Sequence, residues 1–217
     1  MYIEYGHYDL DAKDSEIVDN INSAIKYNVK TISIFYPYIK LIKNQIDSNK
    51  IKIASSIDFP LGIMDLDSRK SIAENCFKNG ANIIDVVCPT YYLCNRKYEK
   101  FREDIKNLQI IAANYNGEIR YILEYRKFTY ELLYKVAQVL LDLNIQTVFP
   151  STGYFLDDIS DNILAAALIN KRVPNINIIC NGNIWNAAHV KLVKNSKIYG
   201  LRLNSINGLN LMAKETI

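Results

Sequence analysis

The sequence predicts an α/β fold built on a parallel sheet, and two observations carry that reading. Short runs of β-branched and aromatic residues recur along the whole chain, and the stretches between them repeat apolar residues three and four positions apart. No linker or low-complexity stretch interrupts the alternation. The pattern alone leaves two architectures open, a closed barrel and an open doubly wound sheet.

In chain order, a weak first run at Tyr2–Tyr5 precedes a helix with Ile17, Val18, Ile21, Ala24 and Ile25 on one stripe, for which Asp14 or Ser15 is the expected N-cap. Strands are read at Thr31–Tyr36 and Lys52–Ile57. Asp65 or Asp67 then caps a helix bearing Ile72, Ala73, Cys76 and Phe77, and Gly80 stands where that helix should end. Ile83–Cys88 and Ile119–Tyr125 follow as strands, and Thr129 caps a helix with Leu133, Val136, Ala137 and Leu140 on its apolar face. The last strands are read at Thr147–Phe149, Ile176–Cys180 and Lys197–Leu203, which makes eight.

Composition narrows the classes of function. A chain of 217 residues, 49% hydrophobic and 23% charged, is expected to fold as one domain spanning 1–217. A net charge of +3 is too small to predict a nucleic-acid or anionic-membrane partner. The basic runs from Arg96 to Arg102 and from Lys191 to Lys197 read as solvated helix faces. The longest apolar stretch, Ile163–Ile169, falls far short of the ~20 residues of a membrane span. With no signal-peptide pattern at Met1–Glu4, a cytoplasmic location is expected. Cys76, Cys88, Cys94 and Cys180 form no CxxC pair and read as reduced thiols, and two histidines are too few to predict a metal site.

Specific residues choose between the two architectures. Asp58-Phe59-Pro60-Leu61-Gly62 resembles the Phe-Pro-x-Gly turn after the third strand of the deoxyribose-phosphate aldolase family. Asn79-Gly80-Ala81-Asn82-Ile83-Ile84-Asp85 is similar to that family's Asn-Gly-Ala-Asp-Glu-Ile-Asp, at the same interval. Ser151-Thr152-Gly153 resembles the end of its Lys-Thr-Ser-Thr-Gly motif, and Gly182 falls in its Lys-x-x-Gly-Gly-Ile motif. Weaker echoes are Pro37-Tyr38, Glu103-Asp104-Ile105-Lys106 and Glu124. The resemblance runs from about Glu4 to Asn204 and implies a (β/α)₈ TIM barrel.

The resemblance also implies a chemistry: metal-free aldol cleavage of 2-deoxyribose 5-phosphate through a Schiff base, with no cofactor. In that family a strand-six lysine forms the imine, a strand-seven lysine keeps the attacking amine neutral, and a strand-four aspartate helps move protons. Carried across, the aspartate falls on Asp85, the imine-forming lysine on Phe149 and the second lysine on Ile179. Neither replacement can form an imine. Lys30 and Lys52 stand at the starts of their strands, the end of a barrel away from its active site. A general acid or base contributes about 10²–10⁴-fold, so Asp85 by itself would not sustain the reaction.

The family's phosphate pocket implies ligand-binding roles for Ser151, Gly153, Gly182, Asn183 and Arg202, the last two standing where the family has a glycine and a small residue. Arg202 either binds a phosphate or carboxylate ligand or fills the space itself. His7 reads as an ordinary hydrogen-bonded histidine, His189 as lying on an outer helix, and Asp58 as a turn cap rather than a new pocket carboxylate. Alternation turns Asp85, Phe149 and Ile179 inward, and Cys88 and Cys180 toward the helices. Besides a disfavoured active aldolase with a relocated lysine, two functions follow: a catalytically impaired aldolase-like barrel that binds a small anion, with a homo-oligomer left open, or an enzyme with lysine-independent chemistry around Asp85, Glu124 and Arg202.

Overall fold

A computed structural model describes residues 1–154 and 158–214. Its eight parallel strands are β1 (Tyr2–His7), β2 (Thr31–Ile34), β3 (Lys52–Ile57), β4 (Ile83–Val87), β5 (Glu118–Ile122), β6 (Thr147–Phe149), β7 (Asn177–Asn181) and β8 (Gly200–Leu203). They pair in sequence order, and β8 returns to β1 to close a barrel, with Glu4 opposite Arg202 and Tyr5 opposite Leu203. Closure leaves no sheet edge unpaired.

Helices cover the outside: α1 (Asp14–Ile25), α2 (Ile39–Lys43), α3 (Leu66–Asn79), α4 (Thr90–Cys94), α5 (Tyr98–Ala113), α6 (Tyr130–Asp142), α7 (Ile159–Arg172), α8 (Ala187–Asn195) and α9 (Ile206–Lys214). The caps are largely those expected. Asp65 accepts from the Ser68 N–H at 2.9 Å, Thr129 accepts from Leu132 N–H at 3.3 Å, and Gly80 ends α3 at φ 114°. At α1 the expectation is corrected, because the N-cap is Lys13 rather than Asp14 or Ser15. The carboxylate of Glu16 reaches back to the Lys13 N–H at 2.8 Å, so the helix begins one residue early on a side chain from its own first turn.

Several strands stop short of their apolar runs. β2 ends at Ile34 because Pro37 sits in a short 3₁₀ turn, Tyr36–Tyr38, and has no N–H for a ladder. Residues past the strand ends, such as Phe35 and Glu124, belong instead to the loops that build the C-terminal face.

Two hydrophobic clusters follow from the alternation of side chains along each strand. The larger lies between barrel and helices and includes Cys76, Cys88 and Cys180. The smaller, Val87, Ile122, Phe149 and Ile179, fills the barrel interior, with Tyr2 and Phe59 packed against it. Phe149 and Ile179 therefore point inward and the two strand cysteines outward, as the alternation predicts. Outside the barrel, Arg69 of α3 binds Asp104 of α5 at 3.0 Å, and Tyr121 of β5 donates to Asp104 at 2.9 Å. This buried set fixes two helices to one strand.

Candidate functional site

Beside the apolar cluster the barrel interior is polar, because four strands each place one charged residue on the inward phase. They are Glu4 of β1, Asp85 of β4, Arg120 of β5 and Arg202 of β8, each at most 4% exposed. Asp85 stands opposite Arg120 in the β4–β5 ladder, and Glu4 opposite Arg202 in the β1–β8 ladder. Arg120 donates to Asp85 through Nε at 2.7 Å and to Glu4, across the barrel, through Nη1 at 2.5 Å. Arg202 donates to Glu4 through Nε at 2.8 Å, to Asp85 through Nη2 at 2.6 Å and to the Tyr8 hydroxyl through Nη1 at 3.1 Å. Two guanidinium groups and two carboxylates thus form a closed, charge-balanced quartet.

Burial pushes the Asp85 carboxyl up, but the charges of Arg120 and Arg202 and their hydrogen bonds outweigh it and hold Asp85 below the usual carboxylate range. Burial works against both guanidinium charges in turn, and the paired carboxylates overcome it, raising both arginines above their ordinary value. Both arginines are therefore permanently charged and cannot serve as amine nucleophiles. Phe149 is the surface on which they rest. Its ring centroid lies 4.2 Å from the Arg202 guanidinium carbon and 4.9 Å from that of Arg120, within cation–π range.

Over the quartet, a cavity of about 530 Å³ opens among loops that follow the C-terminal ends of the strands. Gly153, Gly182, Asn183 and Arg202 line it together. Gly153 at φ 75° and Gly182 at φ 156° both need glycine's conformational freedom. Ser151 is placed differently. It is fully buried, its hydroxyl lies 3.1 Å from the Asn162 amide oxygen and accepts the Gly153 N–H at 3.2 Å, and it is not among the residues lining the cavity. No lysine lines the cavity among the described residues. Lys52 lies at the opposite end of the barrel, exposed, 3.5 Å from Glu118.

Other polar residues near strand ends hold loops. Asp58, at φ 56°, accepts from Ile63 N–H at 2.8 Å and Met64 N–H at 3.1 Å, the turn cap that was expected. Glu124 accepts from the Thr152 N–H at 3.0 Å and hydroxyl at 2.6 Å, which fixes the turn after β6 and keeps this carboxylate apart from the quartet. His189 lies on α8, on the outside as expected. His7 departs from expectation: it is buried, its Nε2 has no hydrogen-bond partner among the described residues, and burial lowers its pKa.

Sequence reasoning missed Arg120 as a partner of Asp85 and Glu4 as the second carboxylate that both arginines bind. The available signal was parity, because each lies mid-strand on the inward phase. Two of the quartet's pairs, Arg120–Glu4 and Arg202–Asp85, cross the barrel between strands that are not neighbours, and no strand-by-strand reading specifies those.

The architecture defines the class: a closed (β/α)₈ barrel whose pocket lies at the C-terminal ends of its strands. No protein-family model matches the sequence. It is 28% identical over 217 residues to a deoxyribose-phosphate aldolase of Mycoplasmopsis pulmonis, covering 100% of this chain and 96% of that one. It is 25% identical to the deoxyribose-phosphate aldolase of Histophilus somni over 216 residues, 98% of this chain and 92% of the other. Among solved structures, the tetrameric deoxyribose phosphate aldolase of Aeropyrum pernix superposes with a TM-score of 0.85 at 17% identity, covering 99% of this chain and 90% of that one. The chain is a homologue of the deoxyribose-phosphate aldolases and shares their barrel.

Proposed function

We propose that this chain is an aldolase-fold barrel without Schiff-base aldol chemistry, whose C-terminal-face cavity serves as a small-molecule binding site. The observation that carries this reading is that guanidinium groups meet Asp85 from β5 and β8, while Phe149 and Ile179 occupy the inward positions to which the family resemblance assigns lysines. An imine requires a neutral amine beside a carbonyl, and a guanidinium in a buried ion pair does not supply one. Gly153, Gly182 and the Asn183 side chain line the cavity wall, the two glycine N–H groups donating to the Ser151 hydroxyl and to the Arg202 carbonyl, each at 3.2 Å. Arg202 is likewise committed to Glu4, Asp85 and Tyr8, so an anion in this cavity would have to compete with bonds already made within the protein. No helix among the described residues is long and apolar enough to cross a membrane. A cytoplasmic barrel that self-associates, as the tetrameric relative does, completes the proposal.

Borohydride trapping tests it. Incubation with 2-deoxyribose 5-phosphate or acetaldehyde followed by reduction should give only surface labelling that competing ligand does not change. A single substrate-protected lysine found by peptide mapping, accompanied by acetaldehyde release, would overturn the reading and show that the imine-forming amine lies elsewhere in the chain.

A further inference from the structure

The walls of the cavity are aromatic. Tyr8 and Phe59 stack with centroids 5.5 Å apart and planes 10° from parallel, and Phe35 meets both edge-on. Tyr154 meets Phe59 edge-on at 6.1 Å and is itself 58% exposed, and Trp185 lines the cavity while 67% exposed. Large aromatic faces left to solvent at the mouth of a pocket are surface that a flat partner would cover.

The polar lining is mostly neutral. Asn181, Asn183 and Asn204 line the cavity; the Asn181 amide nitrogen already donates to the Ser151 carbonyl, and the Asn183 amide oxygen has no partner among the described residues. Each amide offers both a donor and an acceptor, the pattern that pairs with the edge of a nitrogen heterocycle.

The charges oppose an anion. Arg120 and Arg202 are matched by Glu4 and Asp85, so the quartet under the cavity sums to zero. Asp158, exposed at the rim, then leaves the described surroundings with a single net negative charge. Among the described residues a phosphate dianion would meet no free cation there and one carboxylate.

We propose that this cavity takes an uncharged nitrogen-heteroaromatic ligand, stacked against the rings at its mouth and hydrogen-bonded by the asparagine amides, instead of a phosphorylated sugar. This rests on the reading of the cavity as a small-molecule site and names the ligand class. Trp185 is the chain's one tryptophan, so its fluorescence reports on the cavity mouth without a label.

The test is a titration of the full chain with adenosine and uridine as probes, followed by Trp185 fluorescence and by calorimetry. 2-Deoxyribose, 2-deoxyribose 5-phosphate and inorganic phosphate form the comparison arms. The nucleosides should bind saturably, change Trp185 emission and resist competition by phosphate. Tyr154→Ala, at an exposed position that leaves the reporter in place, should weaken nucleoside binding by roughly 5- to 100-fold. Saturable binding of the phosphorylated sugar or of phosphate, with none of either nucleoside, would overturn the ligand class and leave the cavity as a binding site. Nucleoside binding indifferent to Tyr154→Ala and silent in Trp185 emission would place the ligand elsewhere and also overturn the inference. No binding in any arm would overturn both the inference and the small-molecule reading.

Discussion

The cations that meet Asp85 are the guanidinium groups of Arg120 and Arg202, and the proposed lack of Schiff-base chemistry at this site rests on that residue type. An amine can lose its proton and attack a carbonyl, whereas a buried, paired arginine keeps its charge and its hydrogen bonds. Asp85 is correspondingly held ionised inside the barrel. His7 is the opposite case, a titratable group that burial keeps neutral with an unpartnered Nε2. Its folded pKa lies below its ordinary 6.5, so the stability it contributes is present above that value and is lost as pH falls through the folded value. Unfolding free energy measured by urea denaturation should therefore decline as the pH is lowered from about 7.5 to about 5.5, and His7→Phe should flatten the decline. Burial shifts Asp58 and Asp104 up, so each favours the fold toward acid and counts against it once ionised, opposite in sign to His7. An undiminished slope in the His7 variant would mean that other groups carry the pH dependence.

Among the elements, β6 is the one whose surroundings do most to define the cavity. It has only three residues, and the turn that follows it is held from both sides. Glu124 at the end of β5 accepts two hydrogen bonds from Thr152, and the Asn181 amide at the end of β7 donates to the Ser151 carbonyl at 2.5 Å. Ser151 itself faces α7 through Asn162, which accounts for its absence from the cavity wall although Gly153, two residues on, reaches it. Glu124→Ala should remove a charge-assisted bond to a buried hydroxyl and amide. A loss of about 1.5–3 kcal/mol is expected in chemical denaturation, with faster hydrogen exchange at the Thr152 amide. Stability lost without any change at Thr152 would indicate that Glu124 acts through other contacts.

At the scale of the whole molecule, the quartet and the apolar cluster around it form one packed interior, so lysines at positions 149 and 179 would disturb it. Phe149→Lys with Ile179→Lys would add two amines beside two arginines and remove the ring on which both guanidinium groups rest. The balanced interior would carry two uncompensated positive charges or else hold two neutral, desolvated amines. The double variant should be less stable than the parent by several kcal/mol and show no measurable release of acetaldehyde from 2-deoxyribose 5-phosphate. Turnover well above background, measured with a coupled aldehyde assay, would show that positioning had survived the change of residues.

Much of this was legible in the sequence because it depends on local periodicity. The runs at Lys52–Ile57 and Thr147–Phe149 are β3 and β6 to the residue, the parity of Asp85, Phe149 and Ile179 placed them inside, and Asp65, Thr129 and Gly80 marked helix ends through hydrogen bonds within a few residues. What the sequence left open is what depends on contacts between distant strands. It gave Arg202 two uses, ligand binding or filling space, and the barrel decided by closing β8 against β1 and bringing Arg202 to Glu4, 198 residues away in the chain, and to Asp85. It offered Arg120 no role at all, and only the circular arrangement of strands carries that side chain across the interior to Glu4. Alternation fixes the face on which a charge lies, a property of one strand. Which opposite charge it meets is a property of the closed sheet, and in a low-dielectric interior that meeting determines whether a cation is free to bind a ligand or already spent.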